Sequence, residues 1–178
     1  MMVKKLFVVL IMMVLVSMGF ANTAMAKGQA DNPIDQAFAQ DFCEAMNTIE
    51  MNYVSEKYMD AWKAEMKNVA AVLKQSYVFT EDKAHVDVYV ASYEKVAESA
   101  GYIEWLNWSD AKEDPNHRSF GTGAASASLS AKANIYKQAT INLIDAYHGQ
   151  AGDNSLNYTY VYSGKGADLA KVRDQHRQ

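Results

Sequence analysis

The 178 residues contain one cysteine, Cys43, and two prolines, Pro33 and Pro115. A single thiol cannot close a disulfide within the chain, so in an oxidising compartment the fold has to stand on its apolar core. Free cysteine behaves as a small hydrophobe, and burial of Cys43 is expected over an intermolecular link. The long proline-free stretch between Pro33 and Pro115 permits long helices. Positive excess is also lacking: the formal charge is −4, which argues against nucleic acid and anionic lipid as partners.

The patterns that carry catalysis are missing too. His85, His117, His148 and His176 lie in four separate segments, none at helical spacing from another or from Cys43, so no metal box is expected. There is no Cys-x-x-Cys-His haem site and no Gly-x-Ser-x-Gly, and Cys43 has Glu44 beside it with no basic neighbour to activate a thiolate. Asp110, Glu113 and Asp114 sit in a polar stretch with no large apolar residue between them to raise a carboxyl pKa, which makes them solvated charges. Gly121-Thr122-Gly123 lacks the lysine and the preceding strand of a phosphate loop and is expected to be a helix-opening turn. These absences predict a protein that is not an enzyme and carries no cofactor.

What is present begins with Met1-Met2-Val3-Lys4-Lys5, a mainly apolar run from Leu6 to Phe20, and Ala24-Met25-Ala26, the charged, hydrophobic and small-residue order of a secretory signal. Residues 1–26 are therefore expected to be a signal peptide cleaved after Ala26. The run is short of the roughly 20 residues that span a bilayer, so no stable anchor should remain. A periplasmic or secreted protein is the expectation. Loss of Lys4 and Lys5 with no carboxylate takes the formal charge from −4 to −6. That charge permits a cationic protein partner, and solubility alone is the plainer account of it.

Pro33 stands where a helix can begin. From Phe38 to Val78 apolar residues recur at helical steps, Phe42, Met46, Ile49 and Tyr53, then Tyr58, Trp62, Met66, Val69 and Leu73, predicting one long helix with a bend near Glu56. Thr80 is offered as the cap of a second helix, with Glu81 and Asp82 in its first turn. Its stripe is Val86, Val90 or Tyr89, Tyr93, Val96 or Ala97, Ala100 and Ile103, although Val86 to Val90 also alternates like a strand. Ser109 to Gly123 has the composition of a loop. A third helix opens in Ala124-Ala125-Ser126-Ala127-Ser128, carries Leu129, Ala133, Tyr136, Thr140, Leu143 and Tyr147 on one face, and ends at Gly149 and Gly152. The predicted fold is all-α: an antiparallel bundle of about three long helices over residues 27–148 and a partly irregular polar tail, 149–178. Within that tail Asn157 to Tyr162 reads as a short extended stretch and Ala167 to Gln178 as a short helix.

With catalysis unsupported, recognition is left. Trp105, Trp108, Arg118 and Phe120 bracket the acidic loop that holds Asp110, Glu113 and His117, and tryptophan and arginine beside an exposed loop are the types enriched in binding hot spots. The plainer account is that both tryptophans cap the core, which is favoured for Trp105 and evenly balanced for Trp108.

The run Cys43-Glu44-Ala45-Met46-Asn47-Thr48-Ile49-Glu50-Met51-Asn52, followed by Tyr58, Asp60, Glu65 and Leu73, resembles the N-terminal signature of the LprI-like lysozyme-inhibitor family. Gly121 to Ser126 and the helix through Thr140 and Leu143 resemble that family's later elements, and the likeness extends to about Ala146. Val54 stands where the family usually has a second cysteine, and the family's further cysteines are absent. The resemblance implies a helical bundle and, as in some members, inhibition of lysozyme. Two functions are therefore expected alternatives. One is an exported protein that binds lysozyme or a similar cationic glycan-cleaving enzyme through the Trp105 to Phe120 region. The other is a structural or assembly module of the cell envelope, acting through helix faces, the tail, or a second copy joined at Cys43.

Overall fold

A computed structural model describes residues 32–109, 119–151 and 158–175. The expected signal peptide lies outside the described residues. Five helices are present among them, α1 Pro33–Glu44, α2 Thr48–Ser76, α3 Thr80–Asn107, α4 Ala124–Ala151 and α5 Leu169–Gln175. The only β-type pairing described is an isolated bridge between Ser109 and Phe120. No described helix is long and apolar enough to cross a membrane.

Pro33 opens α1 because its fixed φ suits the first helical position, and the Asn32 side chain caps the helix by accepting from the Asp35 N–H at 2.7 Å. The expected single helix from Phe38 to Val78 is instead two, and the break falls at 45–47 rather than at Glu56, which lies inside α2. The cause is local. Asn47 accepts from the Glu50 N–H at 3.0 Å, and the Glu50 carboxylate reaches back to the Met46 N–H at 2.9 Å. This reciprocal cap satisfies two donors that a continuing helix would otherwise pair.

Met46 and Ile49, counted in the apolar stripe, are therefore exposed. Cys43 is exposed as well, against the expected burial. Ile34 and Phe38 define the inner face of α1, and nine positions at about 100° per residue carry Cys43 about 180° round from Ile34.

In α2, Val54, Trp62, Met66, Val69 and Leu73 are buried, with Tyr58 packed against them. α3 begins at Thr80, so the cap residue is Phe79, with no side-chain cap bond, and not Thr80. Glu81 and Asp82 in the first turn still favour the positive end of the helix dipole. The strand-like Val86 to Val90 is helical, and Val86 and Ala97 face the core while Val96 and Ile103 face outward. α4 runs on past Gly149; Gly152 is outside the described residues.

α4 lies at the centre of the packing, most extensively against α2 and then α3. Ala133, Tyr136, Ala139, Thr140, Leu143 and Ile144 supply its buried side. Along α3, Tyr89 donates to the Ala139 carbonyl at 3.4 Å and Glu98 pairs with Lys132 at 2.6 Å. Between α2 and α3, Lys67 pairs with Glu94 at 2.9 Å and Lys74 with Asp87 at 2.6 Å.

The described part of 149–178 joins the helical body. Tyr158, Tyr160 and Tyr162 alternate along an irregular segment, with Tyr160 edge-on to Trp62 and Tyr162 against Phe38. The buried Glu65 carboxylate holds the segment, accepting from the Tyr158 hydroxyl at 2.6 Å and the N–H groups of Val161 and Tyr162 at 3.0 and 3.1 Å. Asp41 accepts from the Ala167 N–H at 2.6 Å, and Leu169 and Val172 of α5 are buried.

Arg173 of α5 donates to both Glu50 oxygens, at 3.2 and 3.1 Å, and to the Glu44 carbonyl at 2.8 Å. Its guanidinium, helped by the Met46 N–H, holds the Glu50 carboxyl at about 2, below its ordinary 4.5. A folded pKa below the unfolded one means that the contribution to stability is complete above about 4.5 and is lost as the pH falls toward about 2. Thermal melts followed by circular dichroism should show acid destabilisation in that window, and Glu50→Gln should flatten the slope there while leaving the pH 5 to 7 range level. An unchanged slope would contradict the pairing.

Candidate functional site

The aromatic end of α3 is assembled by three local features. α3 closes on itself, with the N–H of Trp108 on the Trp105 carbonyl at 3.2 Å and that of Ser109 on the Leu106 carbonyl at 3.1 Å. The returning chain is then tied to this turn by the Gly121 N–H on the Trp108 carbonyl at 2.9 Å and by the Ser109–Phe120 bridge. Last, the Gly121 carbonyl accepts from Ala124 and the Gly123 carbonyl from Ala127, both at 3.0 Å, starting α4. Gly121-Thr122-Gly123 is thus a helix-opening turn, as expected.

The glycines have a further reason. A Cβ on Gly123 would lie 2.7 Å from two atoms of the Trp108 ring, and one on Gly121 would lie 3.0 Å from it. The six-membered ring of the indole therefore packs closely against the bare backbone of Gly121 and Gly123. Its Nε1 donates to Glu104 Oε1 at 3.2 Å, and the other Glu104 oxygen accepts from Asn107 at 3.1 Å. Trp108 is fixed on one side and 44% exposed on the other.

Trp105 is half-buried and stands edge-on to Phe120, with ring centroids 5.2 Å apart. Phe120 is itself 38% exposed. The two residues on which the sequence was evenly or unevenly divided thus take different parts: Trp105 props Phe120, and Trp108 presents a face to solvent. Asp110, Glu113, His117 and Arg118 lie outside the described residues; the bridge between Ser109 and Phe120 brings the ends of their segment together. Glu104 was missed by the sequence reading, and its signal was its place four residues before Trp108, one helical turn away.

Elsewhere Asp35 ties α1 to α2 and α4. Asp35 accepts from Tyr58 at 2.6 Å and from Asn32 at 2.9 Å, and pairs with Lys137. Burial alone would raise its pKa, but these hydrogen bonds outweigh it and lower the carboxyl below its usual range, while burial and the Asp35 charge push the Tyr58 phenol up. Tyr160 is pushed up to about 12 by burial and the Glu65 charge. Among the described residues no three His, Cys, Asp or Glu side chains gather to hold a metal ion. His85 and Asp87 are both exposed, and Asp87 serves Lys74.

No protein-family model, curated protein or solved structure matches the chain. Several residues behind the LprI-like resemblance have architectural roles here: Asn47 and Glu50 cap α2, Tyr58 and Leu73 pack in the core, and Glu65 holds the C-terminal segment.

Proposed function

We propose that the chain is an exported protein-binding module, three long helices running alternately up and down, whose recognition end is Trp108 with Trp105, Phe120 and the segment 110–118. The partner that suits it best is a cationic protein, lysozyme or a similar glycan-cleaving enzyme, and no catalysis of its own is involved. The observation that carries this reading is the state of Trp108, half-exposed yet held by Glu104 and seated on two glycines. An aromatic face fixed before the partner arrives loses little side-chain freedom on binding, which is how tryptophan hot spots gain affinity. Supporting it are the leader at residues 1–26, the negative charge that would speed encounter with a basic enzyme, and the LprI-like motifs.

Helix-face docking in the envelope is the second reading, favoured by Val88, Val96 and Ile103, which are exposed along the outside of α3. Docking through the tail would first require Tyr158 and its neighbours to leave Glu65.

Titration of lysozyme with purified protein tests the first reading. The double replacement of Trp108 and Arg118 by alanine should weaken binding at least a hundredfold, about 3 kcal/mol for two hot-spot side chains, with helicity unchanged. Unaltered affinity in that variant would remove this end of the molecule from the account.

A further inference from the structure

The C-terminal end of α3 has no cation of its own. The carbonyl end of a helix is its negative pole, and a lysine or arginine in the last turn complements it. α2 carries Lys74 there and α5 carries Arg173. α1 has no basic residue in its last turn, and a guanidinium reaches it from elsewhere in the chain: Arg173 donates to the Glu44 carbonyl at 2.8 Å. The last turn of α3 also has no basic residue, and it holds an acid instead, Glu104. The partners of that carboxylate among the described residues are Asn107 and Trp108, both neutral.

The Trp108 indole beside it has no donor left to offer. Its one N–H, on Nε1, is spent on Glu104 Oε1 at 3.2 Å, its six-membered ring packs against Gly121 and Gly123, and the residue is still 44% exposed. What the indole presents to a partner is therefore ring surface, next to a carboxylate and at the negative end of a helix. Aromatic rings attract cations to their faces, tryptophan most strongly, and both neighbours add attraction of the same sign. An anionic group would find no donor on the ring and would meet like charge at Glu104.

We propose that this end of α3 is a guanidinium site, in which an arginine side chain of the bound protein stacks on the Trp108 ring with Glu104 as its counter-ion. The proposal rests on the reading of Trp108 as the recognition surface and names the group that this surface receives. A guanidinium fits better than an ammonium, because it is planar, stacks on aromatic faces and is more weakly hydrated. At the end of α1 the same need is met within the chain, by Arg173 on Glu44 and Glu50. At the end of α3 the described residues leave it to a partner.

Titration of the purified protein with N-acetylarginine amide, and with its citrulline counterpart of the same shape and no charge, tests the site at matched, low ionic strength. The readout is the Trp108 indole N–H resonance. The arginine probe should bind about fivefold more tightly, the worth of one exposed cation–π contact. Trp108→Leu, followed through the backbone amides of Gly121 and Gly123, should abolish the preference. Glu104→Gln, whose amide oxygen can still accept from Nε1, should shrink it, as should added salt. Equal binding of the two probes, or a preference that survives Trp108→Leu, would overturn the proposal. So would a preference that appears only after Lys112 or Arg118 is replaced, since the chain would then be filling the site itself. No lysozyme enters the measurement: an arginine preference in a chain that ignores lysozyme leaves the site standing and removes only the named partner, and inhibition of lysozyme without the preference overturns the site alone.

Discussion

Replacing Trp62 with alanine should lower the stability of the folded chain by about 3–5 kcal/mol, the range for deleting a large buried aromatic. The indole is 0% exposed and is where α2, α4 and the C-terminal segment meet. Tyr58 and Tyr160 stand edge-on to it, each with centroids 6.4 Å away, and Lys137 lies 5.6 Å over its face. The Thr140 hydroxyl bonds the Tyr136 carbonyl at 2.8 Å and reaches the Trp62 carbonyl at 3.5 Å. No single neighbour can collapse into the space without giving up contacts to the others, so the cavity term should be near its full size. Phenylalanine at this position should cost less than half as much, because the indole Nε1 makes no hydrogen bond of normal geometry that would be lost. Urea unfolding of the two variants measures both values. A cost below about 1 kcal/mol for the alanine variant would contradict the placement of Trp62 at the centre of the core.

Glu65→Leu should cost about 3 kcal/mol or more and free the C-terminal segment before the rest of the molecule unfolds. Glu65 is buried and accepts from the Tyr158 hydroxyl and from two successive backbone N–H groups. Leucine supplies apolar volume but no acceptor. The Tyr158 hydroxyl keeps Asn68, which donates to it at 2.5 Å, while the N–H groups of Val161 and Tyr162 lose their acceptor, at about 1–3 kcal/mol each if they stay buried. The chain can avoid that cost by detaching the segment. Hydrogen exchange should therefore show residues 158–175 losing protection in Glu65→Leu while amides of α3 and α4 keep theirs. Glutamine should be intermediate, since its amide retains one acceptor and turns a donor toward a second N–H. Uniform loss of protection along the chain would mean that the segment folds only with the whole and is not held by Glu65 in particular.

These two sites show where the sequence was legible. Tyr58, Trp62, Met66, Val69 and Leu73 announce α2 by their spacing alone, and Ala133, Tyr136, Thr140 and Leu143 do the same for α4, because an amphipathic helix buries a stripe whatever it packs against. The break before α2 was also written in the chain, as Asn47 followed three residues later by Glu50, but the apolar spacing of Met46 and Ile49 hid it. Cys43 was misjudged because residue type was used in place of helical position. In the C-terminal segment the short helix expected within Ala167 to Gln178 is present as Leu169–Gln175, but the docking was not legible: the tyrosines are held by Glu65, more than ninety residues earlier, and nothing local in a polar, glycine-containing stretch reports such a partner. At the aromatic end, residue type pointed to Trp105, Trp108 and Phe120, while the division of labour among them depends on Gly121 and Gly123, whose role is set by a ring they reach only after the chain has turned back.

Binding of lysozyme is read most directly from the rate at which the enzyme clears bacterial cell walls with rising amounts of this protein, repeated at several salt concentrations. Inhibition should be strongest at low salt and weaken as ions screen the attraction over distances of about 10 Å. Full lysozyme activity at every salt concentration, against several lysozymes, would contradict it.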